Sequence, residues 1–274
     1  MRSELQQSLE ILDWRRRRSW QYAFRQFAGH LLDGSVRDHL VRNKPRACWS
    51  DNFSWLPSPD VVEEIAWCLR EHYSHVKGFH ASRPRSVKSY YELGLMGLDV
   101  TVAQKSFKEI FADVDELKLE AAIDQMATRN RLDQGKIYFC ADEETLIKES
   151  GHYLIQGSEY LMALAATLMS GSGEDYRLRL RKFGVPTIFE VDIPIECVPF
   201  EQTFDLARLM TSAWGQTVTK RRLGLADSVC YVIHGNIEPS NIRSHFHPMV
   251  VADPHFGRVP YRIDKIDCDM CQQA

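Results

Sequence analysis

Residues 78 to 83 read Gly-Phe-His-Ala-Ser-Arg. A histidine leaving a strand into a loop, with a small residue and a hydroxyl behind it, lets backbone and side chains touch one ligand together. A second cluster lies downstream: Ile137-Tyr138-Phe139, then Ser150-Gly151-His152-Tyr153. Taken together the two clusters suggest a nucleotide pocket. A third group carries metal-ligand types. Cys268-x-x-Cys271 has zinc-ligand spacing, and His245 and His247 could complete a tetrahedral site. A lone Cys-x-x-Cys is a weak signal, and chain ends commonly fray. The expectation from sequence is therefore ordinary loop, with no metal assigned. No phosphate loop, no His-Glu-x-x-His and no Gly-x-Ser-x-Gly is present.

The elements that must position these groups can be read from periodicity. Leu5, Leu9, Leu12, Trp20, Phe24, Phe27 and Leu31 predict one or two amphipathic helices over 3–32. Residues 43–58 read as a loop, and Ser58-Pro59 starts a helix to about Tyr73. A strand follows at 76–81, ended by Pro84. Helices are expected at 86–97 and about 101–130, with Gly94 and Gly97 between them. Lys136 to Cys140 is a second strand. Helices follow at 142–149 and, capped by Ser158, at 159–169. Residues 170–174 form a loop, and 176–182 alternate in a way that fits a strand or an exposed helix. Strands are expected at 185–193 and 229–233, with a helix at 203–213 between them. The sum is an α+β fold. The domain reading is a helical region over 1–75 and a second domain over 76–274.

Composition narrows the classes. The chain has 274 residues, 44% apolar and 26% charged, with a net charge of −3. This is an ordinary globular balance with no global attraction to nucleic acid or acidic membrane. No apolar run reaches membrane-span length, and the arginine-rich start has no signal-peptide core. Seven cysteines, an odd number embedded in apolar patterns, favour reduced thiols and a cytoplasmic location.

Gly-Phe-His-Ala-Ser-Arg followed by a helix ending in Gly-Leu resembles the first block of the ADP-ribosyltransferase superfamily. The nearest branch holds the poly-ADP-ribose polymerases and diphtheria-type toxins. Ile137-Tyr138-Phe139-Cys140 with Ser150-Gly151-His152-Tyr153 resembles the second block. Thr187 to Pro194 and Val229 to Ile242 are similar to the later core strands. The resemblance implies a split, mostly antiparallel sheet and NAD+ as substrate. It implies that His80 bonds a ribose hydroxyl and that the backbone at Ala81 holds the nicotinamide amide, with Ser82 and Arg83 beside them. Ser150 would donate to the amide, Tyr153 would stack on the nicotinamide, and Tyr138 would pack on its other side. The catalytic acid would be Asp227, just before a late strand, with Glu159 as rival and Glu190 and Glu238 as lesser candidates. The implied activity is transfer of ADP-ribose to a protein or nucleic acid, as a toxin or defence factor with a neutralising protein partner and no membrane role.

Two other classes fit parts of the chain. Arg15 to Arg18 with Trp20, and Arg177, Arg179 and Arg181 with Tyr176, could grip phosphates and stack bases. An inactive scaffold that binds a protein partner would also accept aspartate where the family has glutamate.

Overall fold

The structure, a computed structural model, describes residues 10–42, 53–58, 60–169, 173–220 and 229–271. Leu5, Leu9, Cys48, Pro59 and Asp227 lie outside these residues, as do parts of the loops expected at 43–58 and 170–174. The N-terminal elements are β1 (Ile11–Leu12), α1 (Arg17–Phe27), α2 (Gly34–Arg42) and α3 (Asp60–His72). Strand β2 (His75–Ser82) leads to α4 (Lys88–Leu93), α5 (Val100–Ile110), α6 (Glu116–Asp124) and α7 (Ala127–Asp133). Then come β3 (Lys136–Cys140), α8 (Glu143–Lys148), α9 (His152–Ile155), α10 (Glu159–Thr167) and α11 (Arg177–Leu180). Strand β4 (Thr187–Pro194), α12 (Phe200–Thr219) and β5 (Cys230–His234) follow. The last strands are β6 (Ile242–Phe246), β7 (Val250–Asp253) and β8 (Val259–Arg262).

The fold is mixed α+β with a mostly antiparallel open sheet. Its strand order is β5-β3-β2-β4-β6, with the two-residue β1 parallel to β2, and β7 and β8 form a separate hairpin. The chain divides into two compact units, 1–77 with 192–231 and 78–191 with 232–274. Among the described residues no helix is long and apolar enough to cross a membrane.

In the first unit α3 buries Val62, Ile65, Ala66 and Leu69, the face its 3.6-residue spacing marks out. It packs against α12, which buries Leu206, Ala207, Met210 and Ala213. Ser58 Oγ accepts the Asp60 N–H, as a cap residue should.

In the second unit the single helix expected over 101–130 is three. No glycine or proline breaks it. The first break follows α5, where Asp115 takes the Lys118 N–H and starts α6 afresh. Asp99 caps α5 through Thr101 and Val102, and Asp142 caps α8 through Thr145 at 2.7 Å. Ser158 precedes α10 as expected but makes no side-chain cap bond. Phe107, Phe111, Leu119, Leu164, Leu168 and Leu180 join α5, α6, α10 and α11 in one apolar cluster. A second cluster joins Phe79 and Ala81 of β2 to Cys140, Leu154, Ile155, Ile188 and Val251. Of the residues predicted for the pocket, Ala81 belongs to this second cluster and Tyr153 packs against it.

Candidate functional site

Strands β2 and β3 are antiparallel, with Phe79 opposite Cys140. Beyond that pair a side chain links them: His80 Nδ1 lies 2.9 Å from the carbonyl of Tyr138. A carbonyl only accepts, so Nδ1 is the protonated nitrogen and donates. Burial lowers the His80 pKa below the usual histidine value, against the pull of the Tyr138 carbonyl. The neutral ring therefore has Nε2 as a lone-pair acceptor, which suits a hydroxyl donor. The ring also packs on Phe139, with centroids 5.6 Å apart.

Tyr153 is set by α9. Its N–H donates to the Ser150 carbonyl at 3.2 Å, which ties the two residues of the Ser-x-x-Tyr segment together. Gly151 lies between them. A Cβ there would sit 2.0 Å from the Ala252 carbonyl, so the close approach of β7 needs glycine. The Tyr153 side chain packs on the Phe79, Ala81 and Cys140 cluster, and its hydroxyl donates to Glu159 Oε2 at 3.1 Å. Burial first, then Glu159, pushes the Tyr153 hydroxyl pKa upward, so it stays a donor at neutral pH. Glu159, half-exposed at the start of α10, also faces Arg129 at 3.6 Å. Arg129 in turn bonds Asp133 along α7 at 2.9 Å. Tyr138 is partly exposed. Its pKa is raised by burial and then by Asp133 and Glu159, which places all of these groups in one electrostatic neighbourhood.

The structure thus sets Tyr138, Tyr153 and Glu159 in one neighbourhood beside the buried Ala81, whereas the His80 ring reaches only the Tyr138 backbone and packs with Phe139 on the other face of the strand pair. Ser82 turns elsewhere, its Oγ 3.3 Å from the Tyr90 hydroxyl. Arg83 is committed to the backbone. Its guanidinium donates to the carbonyls of Phe183, Leu154, Arg181 and Gly184, at 2.8 to 3.0 Å. Burial lowers its pKa to about 10, which leaves it a cation at neutral pH. Arg83 therefore braces the turn before β4 and the end of α9. Glu190 accepts from Ser244 Oγ at 2.9 Å on the β4–β6 ladder. Arg129 and Asp133 are members of this group that the motifs did not indicate. Their one sequence signal is the i,i+4 ion-pair spacing.

The arginines read as a phosphate grip are largely taken. Arg15 and Arg16 pair with Asp13, Arg177 with Asp175, Arg179 with Asp113 and Glu174, and Arg181 with Asp253.

Elsewhere in the same unit, one donor atom from each of His245, His247, Cys268 and Cys271 lies within 4.8 Å of the other three. The hairpin makes this possible. β7 and β8 pair from Val250 with Arg262 to Asp253 with Val259, and the Ile263 N–H returns to the Met249 carbonyl. The chain after β8 is thereby carried back beside the end of β6.

No protein-family model matches the chain, and neither a curated protein nor a solved structure is significantly similar to it.

Proposed function

We propose that the protein transfers ADP-ribose from NAD+ to a macromolecular acceptor. One observation carries this reading. The segments that resemble the ADP-ribosyltransferase blocks are four consecutive strands, β5-β3-β2-β4, with the His80 ring bonded to the Tyr138 backbone carbonyl across β2 and β3.

In this reading Nε2 of neutral His80 accepts from a ribose hydroxyl. Tyr153 stacks on the nicotinamide while its own hydroxyl is held by Glu159, and the backbone at Ala81 with Ser150 takes the amide. The reaction breaks the nicotinamide–ribose bond, and nicotinamide leaves with the bonding pair. The acceptor's nucleophile then bonds to the ribose carbon and gives up its proton. Positioning the cofactor near this geometry supplies much of the rate. A carboxylate near the developing positive charge stabilises the transition state. Glu159 is in reach of Tyr153, and Asp227 lies outside the described residues, so both stay as candidates for that role.

Incubation with labelled NAD+ and a mixture of protein, DNA and RNA tests the proposal. Label should enter one class of acceptor. His80→Ala should abolish cofactor binding, and Tyr153→Ala should weaken it through lost stacking. Whichever of Glu159→Ala and Asp227→Ala removes the true acid should lose turnover while still binding NAD+. NAD+ binding with no transfer to any acceptor would instead support an inactive scaffold. Absence of NAD+ binding would end the reading altogether.

A further inference from the structure

We propose that His245, His247, Cys268 and Cys271 bind one zinc ion, in a closed tetrahedral site that pins the segment after β8 to β6 and to α4.

The distances fit a single ion. His245 Nε2 lies 3.4 Å from Cys271 Sγ and 3.6 Å from Cys268 Sγ, and His247 Nε2 lies 3.6 Å from Cys271 Sγ. A tetrahedron with bonds of about 2.3 Å to sulfur and about 2.0–2.1 Å to nitrogen has nitrogen–sulfur edges of about 3.6 Å. Thiol–imidazole hydrogen bonds alone serve the cluster poorly. Cys271 has one S–H, yet its sulfur faces two imidazole nitrogens and Cys268. A dication at the centre satisfies all four donors together.

The outer partners of both histidines point the same way. His247 Nδ1 lies 2.7 Å from the Pro186 carbonyl, which can only accept. The proton is therefore on Nδ1, and the Nε2 lone pair faces the sulfurs. His245 Nδ1 lies 2.9 Å from the Tyr91 hydroxyl, which can take the Nδ1 proton and leave Nε2 free in the same way. Metal-binding histidines are characteristically held by such a bond on the remote nitrogen. Four protein ligands of two soft and two borderline types select zinc and leave no open coordination position, so the site is structural.

The turn between the two cysteines makes a second connection. Asp269 accepts from Ser86 Oγ at 2.6 Å and from the Val87 N–H at 2.9 Å, at the start of α4. The same helix carries Tyr91, which holds His245. The ion would thus fix α4, the element that follows the His80 strand, from both ends. This inference does not depend on NAD+ chemistry.

The test is metal analysis of the full chain, purified without chelator or metal-affinity resin from zinc-supplemented medium. One zinc per chain is expected, and it should be absent from a Cys268→Ser/Cys271→Ser variant. Cys230→Ser, a change away from the cluster, should leave it in place. Cobalt exchanged into the wild-type chain should give the intense visible bands of a tetrahedral thiolate–imidazole site. Tyr91→Phe should fold and still bind, with affinity for added zinc lower by about 10-fold or more. Wild-type chain that holds no zinc and gives no such cobalt bands would overturn the proposal. So would stoichiometric iron in place of zinc, or zinc retained by the double cysteine variant.

Discussion

Replacing Arg83 separates a brace from a ligand contact. Arg83→Met keeps most of the side-chain length and removes four donations to backbone carbonyls. Hydrogen bonds to a charged group contribute about 1.5–3 kcal/mol each, but such terms are not additive and partly buried carbonyls regain some water. A loss of about 3 kcal/mol or more is the expected net. The unit containing Arg83 spans 78–191 and 232–274. For a body of that size each kcal/mol shifts the melting midpoint by about 2–4 °C. Thermal unfolding followed by circular dichroism should thus show a drop of about 6–12 °C. Arg83→Lys should fall between, because an ammonium has three donors and cannot fork across several carbonyls. On the proposed function NAD+ affinity should also fall, indirectly, since Arg83 holds Leu154, which follows Tyr153. A melting midpoint that moves by no more than about 1 °C, with NAD+ binding lost, would refute the brace and return Arg83 to the ligand.

Other perturbations bear on neighbouring parts. His80 and His152 both have pKa values lowered by burial. The unfolded chain then binds more protons than the folded one below the ordinary histidine value of about 6.5, so stability is complete above that pH and declines as pH falls through it. Denaturant titrations from pH 8 to pH 5 should show the decline, and His80→Gln should flatten it; an unchanged slope would contradict the assignment. Gly151→Ala should push α9 off β7, since its Cβ would meet the Ala252 carbonyl at 2.0 Å. On the proposed function, NAD+ affinity measured by titration calorimetry should weaken in that variant. Phe107→Ala should cost about 3–5 kcal/mol through the cavity it leaves, read as a shifted denaturation midpoint.

Local patterns were legible where a segment has one simple face. Lys136–Cys140 is a strand over the expected range, and the helix from residue 60 buries its predicted face. Helix α12 runs well past the expected 203–213, because it also buries Thr211, Ser212, Gly215 and Gln216. Polar and small residues on a buried face hide the apolar period. Strands β6, β7 and β8 were not expected, since each is four or five residues long and the stretch is rich in histidine, proline and arginine. The four candidate zinc ligands lie on and around these short strands. Their types and spacing were visible, but their meeting depends on the β7–β8 register. The proposed NAD+ residues show the converse. His80, Tyr138 and Tyr153 stand out as motif residues, whereas Arg83 reads the same in the sequence whether it touches a cofactor or holds four carbonyls.

Helix α4 has six residues, too few to hold itself together in water. Its supports come from far along the chain: Asp269 reaches Val87 across 182 positions, and His245 reaches Tyr91 across 154. Closing such long loops is an entropic search that precedes any reward from the contacts made. Helix α4 is therefore expected to be among the last elements to settle during folding and the first to open afterwards. The end of the His80 strand inherits that timing, so amide exchange at residues 87–93 should report when the site becomes competent, well after the apolar clusters have formed.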